Sequence, residues 1–321
     1  MEKEKIFNEE LKLKFLSEYE SEKTRSIYNY LFLKSGDLED VMNIDLSQFN
    51  LKQIEKLLKE IKPLTINVAR SNGRIISAYI NWAVKVGIRN NPNPLKEVGN
   101  EWFDQFVDKE SKLYLSSEDI DGLEKQLVNA QDAVILYLIF EGVFGEALSE
   151  LLNLSINDID FDNNVLFLQD DFSNKRELKV TSQCIRIIRQ AMSEKEYHGR
   201  NGEGRTVKLV DNEFIIRSAD TRSTSPGKAN RHLVYRRITT VSEHFDYPYL
   251  TAKSIQKSGM IKMGRDLFIK HGTLGKDQLY EIAKRFNVNT IKVKEYEYYN
   301  STLLSSFVNL ENINDLYGSD F

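Results

Sequence analysis

Two prolines set among asparagines in Asn90-Asn-Pro-Asn-Pro-Leu make the strongest turn signal in the 321-residue chain, and they divide it into two differently patterned parts. Proline cannot continue a helix, and the residue before it is pushed toward extended backbone. Ahead of that break, apolar residues recur at helical spacing. Leu11, Phe15, Leu16, Tyr19, Ile27, Tyr30 and Leu31 predict a helix over Asn8–Lys34. Ile54, Leu57, Leu58 and Ile61 predict a second, which stops before Pro63. Ile75, Ile76, Tyr79, Ile80, Trp82 and Ala83 predict a third over Thr65–Val86, with Gly87 as its C-terminal stop. A helical domain is therefore expected over residues 1–95, a linker over 96–112, and a second domain over 113–321.

The second part is patterned differently. Ser116-Ser-Glu-Asp reads as a helix N-cap, and Asp132–Phe144 is apolar enough for a buried helix. A short helix is expected over Ala147–Leu154. Ile159–Leu168 and Glu177–Val180 alternate as strands do, joined by the polar turn Gln169–Lys175. Helices resume at Ser182–Lys195, Arg231–Phe245, Ala252–His271 and Lys276–Phe286, around an irregular stretch at Gly199–Asn230. The class is mainly α with a small β-sheet. The tail, Asn300–Phe321, carries Leu303, Leu304, Phe307, Val308 and Leu310 as an apolar helix pattern that must be buried somewhere.

Composition narrows the chemistry. One cysteine, Cys184, excludes an internal disulfide and disfavours a thiolate metal cluster, and the four histidines show no ligand spacing. Neither a metal nor a cofactor is expected. No apolar run reaches membrane-spanning length and the charged start is unlike a signal peptide, so the expected location is the cytoplasm. The net charge of −4 conceals an uneven distribution: Ser173–Lys294 holds 25 Lys+Arg against 12 Asp+Glu, an excess of +13, while residues 1–172 hold 19 against 31. A basic segment of this size fits contact with a polyanion such as duplex DNA.

Three passages taken together resemble the tyrosine recombinase (phage integrase) family. Tyr79-Ile-Asn-Trp-Ala-Val-Lys-Val-Gly-Ile-Arg-Asn-Asn-Pro is similar to the end of that family's core-binding domain. Leu115-Ser-Ser-Glu-Asp-Ile, Gly145-Glu-Ala-Leu-Ser-Glu-Leu-Leu-Asn-Leu and Asp158-Ile-Asp-Phe-Asp-Asn-Asn are similar to the start of its catalytic domain. Leu250-Thr-Ala-Lys-Ser-Ile-Gln-Lys-Ser-Gly and the run to Tyr296 are similar to the remainder. The resemblance implies the tyrosine-recombinase fold, a helical core-binding domain followed by a catalytic-like one, and a duplex-DNA partner.

In that family a tyrosine attacks a DNA phosphate, two arginines and histidine-type donors stabilise the transition state, and a hairpin lysine protonates the leaving oxygen. Here the first arginine position of the Gly-x-Arg-x-Ser-Glu-Leu pattern is Ala147, with Ser149-Glu150-Leu151 intact. The second pattern starts at Leu250-Thr251, and its histidine, arginine and last histidine become Lys253, Gln256 and Lys257. The Gly-His pair becomes Phe286-Asn287, counted from Tyr296. Tyr296, Tyr298 and Tyr299 are all candidates for the tyrosine, and Lys175 or Lys179 for the hairpin lysine. Removing one such donor typically costs about 10²–10³ in rate. The resemblance therefore implies a dismantled centre, with Ala147, Lys175, Lys253, Gln256, Asn287 and Tyr296 as vestiges, and no recombinase activity.

What is retained points to binding. Thr65, Asn67, Arg70, Ser71 and Arg74 lie opposite the apolar face of their helix, a polar surface suited to a major groove. Lys175 and Arg176 at the hairpin, and Arg217, Arg222, Lys228, Arg231, Arg236 and Arg237 around the irregular stretch, are candidates for phosphates with one or two bases. Lys253 and Lys257 would form a phosphate clamp in the former centre. A protein that holds DNA without cutting it represses or shapes it, so a transcriptional repressor is the expected function. The alternatives are an active recombinase with an altered pocket, or an architectural or directionality factor. A monomer in solution is expected, with its tail folded onto its own domain, and association on DNA stays open.

Overall fold

The computed structural model describes residues 6–107, 112–221, 227–293 and 296–318. The chain divides into two compact units, Met1–Ser111 and Lys112–Phe321.

The first unit is helical: α1 Glu9–Leu16, α2 Glu22–Met42, α3 Leu51–Ile61, α4 Ile66–Lys85 and α5 Asn100–Asp104. Its core gathers Phe15, Phe32, Leu57, Leu58, Ile76, Tyr79 and Ile80. The single helix expected over Asn8–Lys34 is two. The chain breaks after Leu16, and Ser21 starts α2 by accepting the Thr24 N–H on its side chain. Two ionic groups also reach this core. The Lys12 ammonium donates to Glu39, whose carboxylate further accepts the Ser35 hydroxyl and the Leu46 N–H, all within buried surroundings.

The stretch expected to be a linker belongs largely to this first unit. Arg89 is buried and donates to the carbonyls of Ser47 and Phe49, and to that of Asn91 within the Asn-Pro turn. The Asn93 side chain donates to Ser77 and Asn81 on α4 and accepts from the Leu95 N–H. Leu95, Phe103 and Phe106 then enter the core. Phe103 lies so close to Gly73 that a Cβ there would come within 2.2 Å of its ring. Turn residues announce a change of direction; whether the chain beyond them is free depends on these later aromatic residues.

The second unit is built around α7 (Ala130–Glu141), whose residues from Gln131 to Phe140 are all buried. A helix apolar on every side needs neighbours on every side. Here α6 (Ser117–Gln126), α9 (Ser182–Ser193), α10 (Arg231–His244) and α11 (Ala252–His271) pack around it. The α11 contact is backbone to backbone: a Cβ on Gly259 would sit 1.8 Å from the Phe140 carbonyl oxygen. An antiparallel sheet of β1 (Ile159–Asp160), β2 (Val165–Gln169) and β3 (Lys175–Lys179) follows α8 (Ser149–Asn153). Register pairs Leu166 with Leu178, Leu168 with Arg176 and Gln169 with Lys175.

Part of the stretch read as irregular forms a small antiparallel hairpin, β4 (Glu196–His198) with β5 (Thr206–Lys208). After α12 (Lys276–Arg285) a second hairpin, β6 (Thr290–Val293) with β7 (Tyr296–Tyr299), leads to α13 (Ser301–Ser305) and α14 (Leu310–Tyr317). These last helices pack on their own unit. Leu304, Phe307, Val308 and Ile313 are buried with Met260, Ile261, Leu267 and Ile282. Gly264 leaves room for Val308, whose methyl would stand 2.7 Å from a Cβ there. The Tyr317 hydroxyl accepts the Ser117 N–H at 3.2 Å.

Candidate functional site

Four of the six positions singled out as vestiges line one cavity of about 790 Å³ in the second unit: Ala147, Lys253, Gln256 and Asn287. Gly145, Ala147 and Leu148 all have positive φ, at 70°, 52° and 67°, so the chain makes a tight left-handed passage at the cavity wall before α8 begins. Ala147 is exposed there and offers no donor. Gln256 is buried at the base of α11 and accepts from the Lys253 ammonium at 3.1 Å. Lys253 lies 4.9 Å from the Phe144 ring centroid and Lys257 4.7 Å from that of Phe307. Desolvation draws both ammonium groups below the usual lysine range, and for Lys257 repulsion from Lys253 adds to it.

Of the other two vestiges, Lys175 stands off this wall. Lys175 is exposed at the start of β3, beside the cavity-lining Asn174. Tyr296 begins β7, on a strand, and its side chain lies outside those described. Of the other two tyrosines, Tyr298 is exposed and Tyr299 packs edge-on against Tyr280 at 5.2 Å.

Strand alternation corrects the reading of Arg176 as a DNA contact. It lies opposite Leu168 and two residues before the buried Leu178, so its side chain points inward while that of Lys175 points to solvent. The guanidinium holds Glu150 with two bonds of 2.6 and 2.7 Å and donates to the carbonyls of Gly142 and Arg285. Glu150 also accepts the Phe144 N–H. Arg176 thereby ties the ends of α7 and α12 to α8 beneath the cavity.

Arg237 and Arg217 are likewise core residues. On α10 the buried positions Val234, Arg237, Ile238 and Val241 follow helical spacing, which leaves Arg231 and Arg236 on the open side. Arg237 donates to Gln131 and to the Arg217 carbonyl, stacks 4.6 Å from the Tyr197 ring and faces Asp132 at 3.6 Å. Arg217 donates to the carbonyls of Ala191 and Glu194. Lys228 bridges Asn153 and Asp171 at 2.7 and 2.9 Å. Arg222 lies outside the described residues. Three arginines of the basic segment are thus engaged inside the fold. Among the described candidates of this unit, Lys175, Lys228, Arg231, Arg236 and Lys253 keep open surface.

The interior network has a titratable member. Burial pushes the Asp132 carboxyl up to about 6, against the opposing pull of Arg237. A carboxyl raised above its unfolded value stabilises the fold most when protonated, and that contribution is lost as pH rises through the folded pKa. The stability of the wild-type chain relative to Asp132→Asn should therefore fall by roughly 3 kcal/mol between about pH 4 and pH 7. Urea unfolding at several pH values measures this; a flat difference would mean that Asp132 titrates normally.

In the first unit, Asn67 and Arg74 are exposed on α4, with Ser71 half-buried between them. Arg70 on the same face is held by Asp104 through bonds of 2.8 and 2.6 Å, an ion pair that raises the arginine and lowers the carboxylate. Thr65 caps the helix, its hydroxyl oxygen accepting from the Val68 N–H.

Residues 6–85 match the family model described as the MrpR N-terminal core-binding domain, and residues 114–318 that of the MrpR C-terminal catalytic domain. The chain is 32% identical to the SPbeta prophage-derived uncharacterized protein YopR of Bacillus subtilis (strain 168), with 98% of each covered. It is also similar to the solved structure of XerA recombinase, at 12% identity and a TM-score of 0.44 over 96% of this chain and 97% of that one. The Tn1549 transposon integrase in complex with transposon right end DNA gives 10% identity and a TM-score of 0.47, over 95% and 96%.

Proposed function

The chain belongs to the MrpR family, and from that premise we propose that it is a sequence-specific double-stranded DNA-binding protein without recombinase activity, acting as a transcriptional repressor that maintains prophage lysogeny. The observation that carries this reading is the cavity lined by Ala147 and Gln256, the two positions where tyrosine recombinases carry arginine. Phosphoryl transfer depends on donors placed around the transition-state charge, and arginine supplies them as a rigid fork. Lysine is a point charge, and Lys253 and Lys257 restore attraction to phosphate without that geometry. Prophage origin of the YopR relative fits a role in phage control.

The DNA-binding surface in this reading comprises Thr65, Asn67 and Arg74 on the first unit. On the second it comprises Lys175, Arg231, Arg236, Lys253 and Lys257, with Lys228 and Arg70 available where DNA phosphates displace their present partners. Phosphate contacts position the protein and α4 reads bases. Genome-wide footprinting tests the assignment: occupied sites are expected at promoters, and occupancy confined to attachment sites would favour an architectural factor. A nicked suicide version of the bound DNA should give no covalent adduct on a denaturing gel. An adduct lost on Tyr296→Phe would overturn the reading.

Arg74→Ala should cost about 1–3 kcal/mol of affinity for the specific site and little for random DNA. Lys253→Ala should weaken both equally and lower the slope of log K against log salt by about one. Equal losses for Arg74→Ala on both DNAs would show that α4 grips backbone alone.

A further inference from the structure

We infer that the cavity bounded by Lys253 and Lys257 also takes a small amphipathic anion, and that this ligand and DNA compete for the two lysines. The competition rests on the proposed DNA contacts; the ligand site does not. At about 790 Å³ the cavity falls in the range typical of small-molecule sites, about 300–1,000 Å³. Its wall is apolar where Phe144, Met260, Phe286, Leu304 and Phe307 meet, and its cations among the described residues are the two lysines. Neither has a carboxylate partner among the described residues. Of the two acids on the wall, Asp170 accepts the N–H groups of Phe172 and Asn174 and the Asn174 amide, and Glu146 is exposed.

Each ammonium instead rests near an aromatic ring, so among the described residues no carboxylate offsets this positive charge beside the apolar wall. A bare phosphate would satisfy the charge and leave the apolar wall wet. A neutral aromatic would cover the wall and leave the lysines unpaired. A ligand with a phosphate or carboxylate head and an aromatic or branched aliphatic body satisfies both. Its head takes the groups offered to a DNA phosphate, so each occupant weakens the other by the same factor.

The intact chain, free of DNA, is titrated calorimetrically with 1-naphthyl phosphate, inorganic phosphate and 1-naphthol. One naphthyl phosphate per chain is expected, bound at least about tenfold more tightly than either fragment. Lys253→Met/Lys257→Met should reduce it to the affinity of the naphthol. Leu303→Ser, a change at an exposed residue of the cavity mouth, should weaken naphthyl phosphate and leave inorganic phosphate unaffected. Affinity equal to that of inorganic phosphate, or unchanged in the lysine double variant, would overturn the site. In the presence of specific DNA, naphthyl phosphate should release it where inorganic phosphate at matched ionic strength does not. Unaltered DNA binding at saturating naphthyl phosphate would overturn the competition. Failure to bind any DNA would sink the function proposed above, and the DNA-free titration would still decide the cavity.

Discussion

Arg176→Ala is expected to lower the unfolding free energy by about 3–5 kcal/mol, the range for removing one partner of a buried ion pair. The loss is large because Glu150, 3% exposed, keeps its charge without a counterion. The carbonyls of Gly142 and Arg285 lose their donor at the same time. Those carbonyls stand at the ends of α7 and α12, so the substitution loosens both helices around the cavity. Chemical denaturation followed by circular dichroism measures the change. Arg176→Met/Glu150→Met should recover a good part of it, because an apolar pair of similar bulk leaves no orphaned charge. A cost below about 1 kcal/mol would mean that Arg176 is a surface residue after all.

Lys12→Met should cost a similar amount, about 3–5 kcal/mol, in the first unit. Glu39 is fully buried, and burial already raises its pKa while Lys12 pulls it down. Without the lysine that pKa rises further. A carboxyl raised in the folded state contributes stability that is lost as pH rises through its folded value, so the damage should be greater at pH 8 than at pH 5. Lys12→Met/Glu39→Gln should relieve most of it and remove the pH dependence, since the amide oxygen still accepts the Leu46 N–H and the amide NH2 donates to the Ser35 hydroxyl. A deficit independent of pH in the single variant would point to lost packing instead.

Two of the three arginine corrections, those of Arg176 and Arg237, were legible in the sequence. Leu178 and Leu168 are the apolar members of an alternating hairpin, and Arg176 shares their parity. Val234, Ile238 and Val241 define a stripe that includes Arg237. Reading these residues by charge favoured DNA; reading them by period places them in the core. The helices of the first unit were also legible, because their apolar spacing is strong, although Ser21 as an internal cap was passed over. The fate of residues 96–112 was less accessible. Nothing in Trp102-Phe103 alone says that Phe103 folds back onto Gly73. The cavity depends on α11, the loop before α8 and the last helices coming together, a tertiary fact. The motif spacing nevertheless named Ala147, Lys253, Gln256, Lys257 and Asn287 of its wall. The strand at Tyr296 had no clear signal, since three tyrosines among charged residues suit a strand and a helix about equally.

The docked C-terminal helices bear on the DNA as well. A dimer joined about a two-fold axis imposes that axis on its target, and operators read by such dimers are inverted repeats. Val308 fills the notch at Gly264, and Ile313 is buried beside it, so the C-terminal helices bury their apolar face within their own unit. Nothing in that arrangement asks the target to be palindromic. Under the proposed repressor function, a chain that binds as a monomer is expected to use a single directional operator, whose orientation relative to the promoter becomes a property on which selection can act.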